Sequence, residues 1–438
     1  MRSCWWRLPI AAACACTLVA VQGPAAAAGA GTERVSVDSA GVQGDTWSDS
    51  PSLSDDGRRV AFSSSAANLV PNDTNGQVDV FVRDRAKAST ERVNATYDGS
   101  EPDQGALEAS ISGDGRYVAF TSASTRLVPG DANAADDIFV RDLDAGTTSR
   151  VSVTGAGAEA NGPSYGPVIS ADGRYVAFLS NAANLLTVDA NGHRPDVFVH
   201  DRRLGTTNLV SESLAGGGRG GNRVHRTLSI TSDGRYVAFY SSSTDLVADG
   251  STAWGMFARD LWSGATTRES LTATGTPAQE IIEGSISTDG RFITFDSGAD
   301  DVVPGDTNGY PDIFLRDRVT GRTELVSVAT SGKQGDQPSS RPVASDDGRC
   351  VAYFSFAATL VPNDGNGAAD VFVRDRSTGT TTRISTAPTG GDADDASVAP
   401  AISPDGRHIA FTSYATDLVP GDTNRHGDAF IRADDCGL

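Results

Sequence analysis

Short acidic loops recur along the chain and carry the residue types that bind calcium. Three copies read Asp-x-Asn-Gly-x-x-Asp, at Asp73, Asn75, Asp79, Asp306, Asn308, Asp312, Asp364, Asn366 and Asp370. Copies with one change stand at Asp131, Asn133, Asp137, Asp189, Asn191, Asp196, Asp422, Asn424 and Asp428. Alternating oxygen ligands with a glycine for a sharp turn are typical of Ca²⁺ loops. The same residues also form Asx turns that cap a following strand, so the pattern predicts either a weak calcium site or a capped turn.

A second set of candidates lies where the repeated pattern is broken. The loop at 248–256 lacks the Asn and contains Trp254, and the linker before it, at 216–226, is glycine-rich and basic. A local departure from an otherwise uniform rule is where function is worth seeking. We therefore interpret Trp254, Arg223 and His225 as candidate binding residues. Neutral drift in one tolerant loop is the alternative.

The sequence contains no convincing match to the motifs of common enzymes. The stretch Gly162-Pro-Ser-Tyr-Gly166 matches a nucleophile elbow, but that motif requires a strand-turn-helix setting and here leads into a strand. The five histidines show no paired spacing of the kind that binds zinc. The sequence thus contains no unique catalytic cluster and favours a binding protein over an enzyme.

The elements that must position these residues are internal repeats. Seven copies of a Ser-x-Asp-Gly-Arg motif align on the glycines Gly57, Gly115, Gly173, Gly234, Gly290, Gly348 and Gly406, at steps of 56 to 61 residues. A fixed period of this size indicates a repeat architecture. Each copy contains four short segments rich in β-branched and aromatic residues, and none has helical period.

Four antiparallel strands repeated seven times predict an all-β, seven-bladed β-propeller. We name the strands a to d from the central channel outwards. The seventh copy lacks a d segment, whereas an isolated d motif, Thr32-Glu-Arg-Val-Ser-Val37, precedes the first copy. We expect this N-terminal strand to complete blade 7 and close the ring.

The repeated Ser-x-Asp-Gly-Arg-x-Val-Ala-Phe, Asp-Val-Phe-Val-Arg-Asp and Thr-Gly-x-Thr segments resemble the TolB-like, WD-repeat-like β-propeller family. The resemblance covers nearly all of the chain after residue 28 and implies the propeller fold. For function it implies little, because this chain begins its first blade directly and has longer b–c loops than the family unit.

Strand order predicts which face of the ring carries function. The a–b and c–d turns share one end, and we expect the Asp-Gly hairpins there to be two-residue turns with both residues at positive φ. The b–c loops and d–a linkers share the opposite end, which we call the long-loop face. Long loops on a rigid scaffold are typical of binding sites.

The N-terminus and the cysteines indicate an exported protein. Residues 1–28 have a basic start, an apolar run and an Ala-x-Ala site, typical of a signal peptide, which leaves residues 29–438 as a single propeller domain. Of five cysteines, only Cys350 and Cys436 follow that segment. They fall at the same end of neighbouring blades and either form a disulfide or remain thiols.

The charge balance limits the partners. The formal net charge is −20, which disfavours nucleic acids and anionic membranes, since both require a basic surface. No apolar run after the signal peptide reaches membrane length. We therefore expect a secreted, monomeric protein that binds a protein or glycan through its long-loop face, with Ca²⁺ as a possible ordering ion. The alternative is a propeller hydrolase or lyase that acts on polysaccharide or phosphoester at the channel mouth.

Overall fold

The structure is a computed structural model that describes residues 31–186, 194–214, 228–252, 254–434 and 436. The expected signal peptide, the candidates Arg223 and His225, and the loop residues Asp189 and Asn191 lie outside the described residues. Within the described ranges, no helix has the length and apolarity needed to cross a bilayer.

The described strands form seven four-stranded antiparallel sheets, so the predicted all-β propeller is confirmed. Blades 1 to 3 contain β2 (Ser48–Leu53), β3 (Arg59–Ser64), β4 (Asp79–Asp84), β5 (Ser89–Arg92); β6 (Ala106–Ile111), β7 (Tyr117–Ser122), β8 (Asp137–Asp142), β9 (Thr147–Arg150); and β10 (Ser164–Ile169), β11 (Tyr175–Ser180), β12 (Asp196–Asp201), β13 (Thr206–Leu209). In blades 1 to 6 the order from the channel outwards is the chain order, whereas the outermost strand of blade 7 comes before blade 1 in the chain.

Blades 4 to 7 repeat this arrangement. They contain β14 (Leu228–Ile230), β15 (Tyr236–Ser241), β16 (Gly255–Asp260), β17 (Thr266–Arg268); β18 (Ile281–Ile286), β19 (Phe292–Ser297), β20 (Asp312–Asp317), β21 (Thr323–Leu325); β22 (Ser339–Ala344), β23 (Cys350–Ser355), β24 (Asp370–Asp375), β25 (Thr380–Arg383); and β26 (Ser397–Ile402), β27 (His408–Ser413), β28 (Asp428–Ala433), β1 (Thr32–Arg34). A tight c–d turn precedes the d strand. In blade 2, for example, the Gly146 amide donates to the Asp142 carbonyl over 2.8 Å.

The N-terminal strand β1 pairs with β28 as the outer strand of blade 7. Arg34 lies opposite Phe430, and the Val35 amide donates to the carbonyl of Ala429 over 2.9 Å. This is the pairing that the isolated d motif predicts. It joins the two ends of the chain in one sheet.

A disulfide links Cys350 at the start of β23 to Cys436, with the two Cα atoms 5.9 Å apart. Of the two alternatives for these cysteines, the structure shows the disulfide. The Asp434 amide donates to the Arg407 carbonyl, which brings the chain after β28 back to the a–b turn of blade 7. The glycine of that turn, Gly406, lies against the Cys350 sulfur in blade 6.

The a–b turns differ from the predicted two-residue hairpins. Gly57 has φ of 62°, but the preceding Asp56 is not among the positive-φ residues, so the expectation of two positive φ angles is wrong. Instead the Gly57 amide donates to the Ser54 carbonyl, and the Asp56 carboxylate accepts from the Ser54 hydroxyl and the Arg58 amide. A side chain that caps the turn replaces the second left-handed residue.

The aspartate of the Arg-Asp pair that ends strand c contacts the a–b turn of its own blade. Asp84 accepts two hydrogen bonds from the Arg58 guanidinium, at 3.0 and 2.9 Å, and a further one from the Lys87 amide. The Arg of each a–b turn in blades 1 to 6 makes the equivalent contact, at Arg58, Arg116, Arg174, Arg235, Arg291 and Arg349. These pairs fasten the a–b turn to the c–d turn within one blade.

The turn glycine also forms the contact between neighbouring blades. A Cβ atom at Gly173 would lie 2.1 Å from the Tyr117 ring of the preceding blade, and the φ of Gly173 is 68°. Gly76, in a b–c loop, has φ of 65° but no atom within 4 Å of a Cβ. A side chain at Gly76 would therefore introduce backbone strain alone, whereas one at Gly173 would introduce backbone strain and steric overlap.

We expect Gly76→Ala to cost about 1–2 kcal/mol of unfolding free energy, since it introduces left-handed strain alone. Gly173→Ala adds overlap with a packed ring and should cost about 1–3 kcal/mol more. Urea unfolding of both variants measures the difference. Equal destabilisation would show that the inter-blade contact at Tyr117 contributes nothing.

Candidate functional site

The acidic loops place their residues as strand caps. The Asp312 carboxylate at the start of β20 is fully buried and accepts from the Ser327 hydroxyl at 2.5 Å and from the Asn308 amide at 2.7 Å. The Asn308 side-chain oxygen accepts from the Tyr310 amide, which is an Asx turn. Asn75 and Asn366 make the same two contacts with their own loops. The geometry favours capping, and calcium binding stays a prediction.

An arginine of strand d holds the two loop carboxylates together in several blades. The Arg383 guanidinium lies 3.2 Å from both Asp364 and Asp370 in blade 6. Arg92 occupies the same place beside Asp73 and Asp79 in blade 1. Burial and the neighbouring Asp raise the pKa of Asp73 and of Asp364 to about 6.

Blade 5 lacks this cation. Leu325 occupies the register position of Arg383, since Leu325 lies opposite Phe314 as Arg383 lies opposite Phe372. Asp306 accepts instead from the Gln334 amide at 3.2 Å. Burial raises the pKa of Asp312 to about 6. Within the part of the chain that the structure describes, no group of three or more His, Cys, Asp or Glu side chains is arranged to hold a metal.

Of the other sequence candidates, the described residues include Trp254 and Ser164. Trp254 is half-buried and stacks on Tyr240 with ring centroids 5.0 Å apart. Ser164 is fully buried and donates to the Ser180 hydroxyl, which agrees with its rejection as a nucleophile. No contact between Trp254 and its two companion candidates can be described, because Arg223 and His225 lie outside the described residues.

The inner strands share a β-bulge that faces the channel. In blade 2 the register shifts between Leu107 and Ser110, and Glu108 has φ of 61°. Positive φ recurs at the same position of blades 1, 2, 3, 6 and 7, at Ser50, Glu108, Gly166, Arg341 and Ala399. Bulges of this kind redirect side chains and are common beside functional sites. The bulge therefore presents a different side chain in each blade.

These bulge residues line a central cavity of about 290 Å³, which we call the channel cavity. Its wall combines apolar residues, including Pro51, Pro167 and Leu228, with the carboxylates Glu108 and Glu283. The Arg341 guanidinium lies 3.5 Å from the Glu283 carboxylate. At the turn end of the ring, the a–b turns hydrogen-bond to one another around the axis through Asp55, Asp114, Ala171, Ser232 and Asp346.

A second cavity, of about 320 Å³, opens beside the channel cavity at blades 1 to 3, and we call it the side pocket. Its wall includes Leu107, Glu108, Asp136 and Tyr165. Glu108 lines both cavities. One oxygen of that carboxylate accepts from the Gly166 amide at 2.7 Å and from the Thr121 hydroxyl at 3.0 Å.

A buried acid stands behind the opposite wall of the channel. Asp296 of β19 is fully buried, and its carboxylate accepts from the Glu283 amide at 2.7 Å and from the Ser340 hydroxyl. Burial and the Glu283 charge raise the pKa of Asp296 to about 7. The same strand position in the other blades is occupied by Ser63, Thr121, Leu179, Tyr240, Phe354 and Thr412. Such a departure within the repeat is the signal by which sequence reasoning could have found this acid.

Large apolar side chains surround the channel at the long-loop face. Trp47, Leu107 and Ile282 lie at the starts of a strands, Phe356 and Tyr414 directly follow b strands, and Tyr310 precedes a c strand. Their side chains are 36% to 50% exposed. Burial and the nearby Asp49 and Asp395 raise the pKa of Tyr414. Aromatic and acidic groups therefore share this face.

No protein-family model and no curated protein matches the chain. An oligogalacturonate lyase from Vibrio parahaemolyticus is 14% identical over 92% of this chain and 97% of that chain, with a TM-score of 0.53. The β-propeller domain of the Trilobed protease from Pyrococcus furiosus is 11% identical over 84% and 89%, with a TM-score of 0.51. TolB from Acinetobacter baumannii is 16% identical over 82% and 76%, with a TM-score of 0.40. At these identities the likeness concerns the propeller fold alone.

We expect Asp296→Asn to change how stability depends on pH. An ordinary Asp has a pKa near 3.9, so between pH 4 and 7 the unfolded chain loses a proton that folded Asp296 keeps, and stability falls as pH rises. The variant lacks this loss and should be more stable than wild type at pH 8 by up to about 4 kcal/mol, with a smaller difference at pH 4.

Urea unfolding from pH 4 to 8 measures this dependence. Asp144→Asn, which changes an exposed carboxylate on a c–d turn, serves as the control and should follow the wild-type profile. Identical profiles for wild type and the Asp296 variant would contradict the prediction.

Proposed function

We propose that this chain is a secreted binding protein that recognises a protein or glycan at the channel mouth on its long-loop face. The observation that carries the proposal is the pair of cavities that share the wall residue Glu108, namely the channel cavity and the side pocket. Ligand sites are usually concave, mostly apolar and supplied with a few placed polar groups. Both cavities have this character.

The exposed residues of the same face support recognition of a large ligand. Trp47, Phe356 and Tyr414 present amphipathic or apolar surface around the opening. Aromatic anchors in a partly desolvated setting contribute most of the binding energy in many interfaces. These residues stand on a closed ring of packed sheets, so binding should cost little conformational entropy of the backbone.

Export of the protein is part of the proposal. The Cys350–Cys436 disulfide supports it, because disulfides persist in oxidising compartments. The net charge of −20 supports solubility as a monomer and disfavours nucleic acid as a partner.

One observation favours a second candidate, an enzyme that acts at the channel wall. Asp296 is a buried acid with a pKa of about 7, and it adjoins Glu283, which lines the channel cavity. A carboxyl with a raised pKa suits a general acid in hydrolysis or elimination.

The binding proposal predicts that one charge placed at the mouth blocks the ligand. Leu107 is 42% exposed and lines the side pocket, so Leu107→Arg fills the opening and reverses its charge. Val319→Arg makes the same chemical change on a c–d turn at the opposite end of the ring, where Val319 is 78% exposed. We expect at least a tenfold loss of affinity for the first variant and none for the second.

Arrays of defined peptides and oligosaccharides, read with wild type and both variants, provide the measurement. Hydrolysis or elimination products from the oligosaccharides would favour the enzyme. Binding that survives in both variants, or that falls equally in both, would contradict a site at the channel mouth.

We retain calcium as a proposal for blade 5, where Asp306 and Asp312 lack the arginine that lies beside both loop carboxylates in blades 1, 2, 6 and 7. Affinity should be weak, about millimolar, as in extracellular modules. We expect Ca²⁺ to raise the melting temperature of wild type and of Asp370→Asn, but not of Asp312→Asn. A melting temperature that chelation leaves unchanged would establish the capping role alone.

A further inference from the structure

An arginine fills the groove between blades 2 and 3 at the turn end of the ring. Arg202 directly follows strand c of blade 3, and its guanidinium donates to the Gly173 carbonyl in the a–b turn of the same blade at 2.5 Å. The guanidinium also lies over the Tyr117 ring of blade 2, 4.4 Å from the ring centroid. One arginine thus joins the turn of its own blade to the ring of the preceding blade.

Five other junctions fill this groove in a related way. Arg85, Arg318 and Arg376 follow strand c in blades 1, 5 and 6, and each donates to the turn glycine of its own blade. Blade 2 has a leucine there, and Arg59 of blade 1 donates to its turn glycine instead. Between blades 6 and 7, the disulfide lies beside the turn glycine Gly406. A guanidinium or a disulfide therefore occupies each of these grooves.

The junction of blades 3 and 4 differs from these six. Leu261 follows strand c of blade 4, at the position that Arg202 has in blade 3 and Arg318 in blade 5. A cavity of about 440 Å³ opens there, and we call it the junction cavity. Leu261 lines it together with the Tyr175 ring of blade 3 and the turn glycine Gly234 of blade 4.

The ring and the turn of this junction have the geometry that receives an arginine elsewhere. A Cβ atom at Gly234 would lie 2.1 Å from the Tyr175 ring, the same distance that separates a Cβ at Gly173 from the Tyr117 ring. Two guanidiniums lie over Tyr117, from the turn of its own blade and from the next blade. Among the described residues, only Arg174 of its own turn lies over Tyr175. The place of the second guanidinium belongs to the cavity.

The charged side chains of the cavity wall are paired and remain compatible with a cation. Glu212 contacts Arg259, and Asp201 accepts two hydrogen bonds from the turn arginine of blade 3. In blade 2, Asp142 has the same turn partner, and the charges of that pair act on Arg202 at close range. A guanidinium is thus accommodated next to such a pair.

Exposed apolar side chains flank the opening. Leu204 and Trp262, on the c–d turns of blades 3 and 4, line the cavity and are 67% and 66% exposed. Smaller or polar residues stand at both positions in the c–d turns of blades 1, 2, 5 and 6, at Ala86, Lys87, Asp144, Ala145, Val319, Thr320, Ser377 and Thr378. Exposed aromatic residues are enriched at the contacts between proteins. The surroundings of the cavity therefore favour a protein as the source of the ligand.

We infer that the junction cavity binds the guanidinium of an arginine on a protein partner. The guanidinium stacks on Tyr175 and donates to the Gly234 carbonyl, while Trp262 contacts the partner around it. A planar guanidinium suits this place better than an ammonium group, because it stacks on an aromatic ring and donates in its own plane. The site lies at the turn end of the ring, opposite the long-loop face, and does not depend on the proposed function.

The test follows the indole NMR signals of Trp262 and Trp47 during titration with blocked pentapeptides that have arginine or norleucine between glycines. Trp262 lines the junction cavity and Trp47 lies on the long-loop face, so the two signals separate the two sites. We expect the arginine peptide to shift the Trp262 signal with about tenfold higher affinity than the norleucine peptide.

Three variants test the place of the guanidinium. Leu261→Arg supplies the missing group from the chain itself and should abolish the Trp262 response. Val319→Arg makes the same change in charge on an exposed c–d turn and should leave the response unchanged. Arg202→Leu vacates the equivalent place between blades 2 and 3, so equilibrium dialysis with the arginine peptide should count one more site per chain than in wild type.

Equal affinity for the two peptides, a Trp262 response that survives Leu261→Arg, or an unchanged number of sites in Arg202→Leu overturns the inference. If Leu261→Arg does not fold, as circular dichroism would show, the count of sites in Arg202→Leu decides. A response of Trp47 alone also overturns the inference, and it would leave the proposed site at the channel mouth standing.

Discussion

Each blade is a thin sheet with two apolar faces, and burial of those faces against the neighbouring blades is the constraint on which the whole structure depends. Strands b and c place a stacked aromatic pair in every blade, with ring centroids 5.6 to 6.0 Å apart. The apolar clusters lie between blades, as where Val60 and Phe62 of blade 1 pack with Ala410 and Ile431 of blade 7. A single repeat cannot bury such faces, so the ring has to close. Strand β1 and the disulfide both act at that closure.

This constraint explains why the fold could be predicted from the sequence. The core positions recur with little change because each one contacts an equivalent neighbour. The Asp-Gly-Arg turn recurs because its arginine pairs with the aspartate at the end of strand c in blades 1 to 6, as Arg58 pairs with Asp84. The predicted type of the a–b turn is wrong, since the Asp56 side chain caps the turn and removes the need for a second left-handed residue. Local side-chain hydrogen bonds of this kind compete with backbone preferences that the dipeptide alone suggests.

The candidate site could be predicted only in its location. The long-loop face follows from strand order, but the side pocket depends on Glu108, Asp136 and Tyr165, which are distant along the chain and come from two blades. The bulge that aims Glu108 at the channel has no distinctive local motif. The sequence did contain a usable signal, because these residues occupy repeat positions where the other copies differ. The acidic loops were predicted as calcium sites because their sequences are nearly uniform. In the structure this uniformity goes with structural contacts, such as those of Arg383 with Asp364 and Asp370.

Residues that face the cavity are released from the packing constraint, and this is where the repeats diverge. The bulge position holds Ser50, Glu108, Gly166, Arg341 and Ala399 in blades 1, 2, 3, 6 and 7, and the positive φ that all five share is strained for the four that are not glycine. The strain is maintained by the ring, and the side chains remain available to specify a ligand. Glu108 combines both roles, since its carboxylate accepts from the Gly166 amide and the residue lines both cavities. A ligand that binds this carboxylate therefore acts directly on the junction between blades 2 and 3.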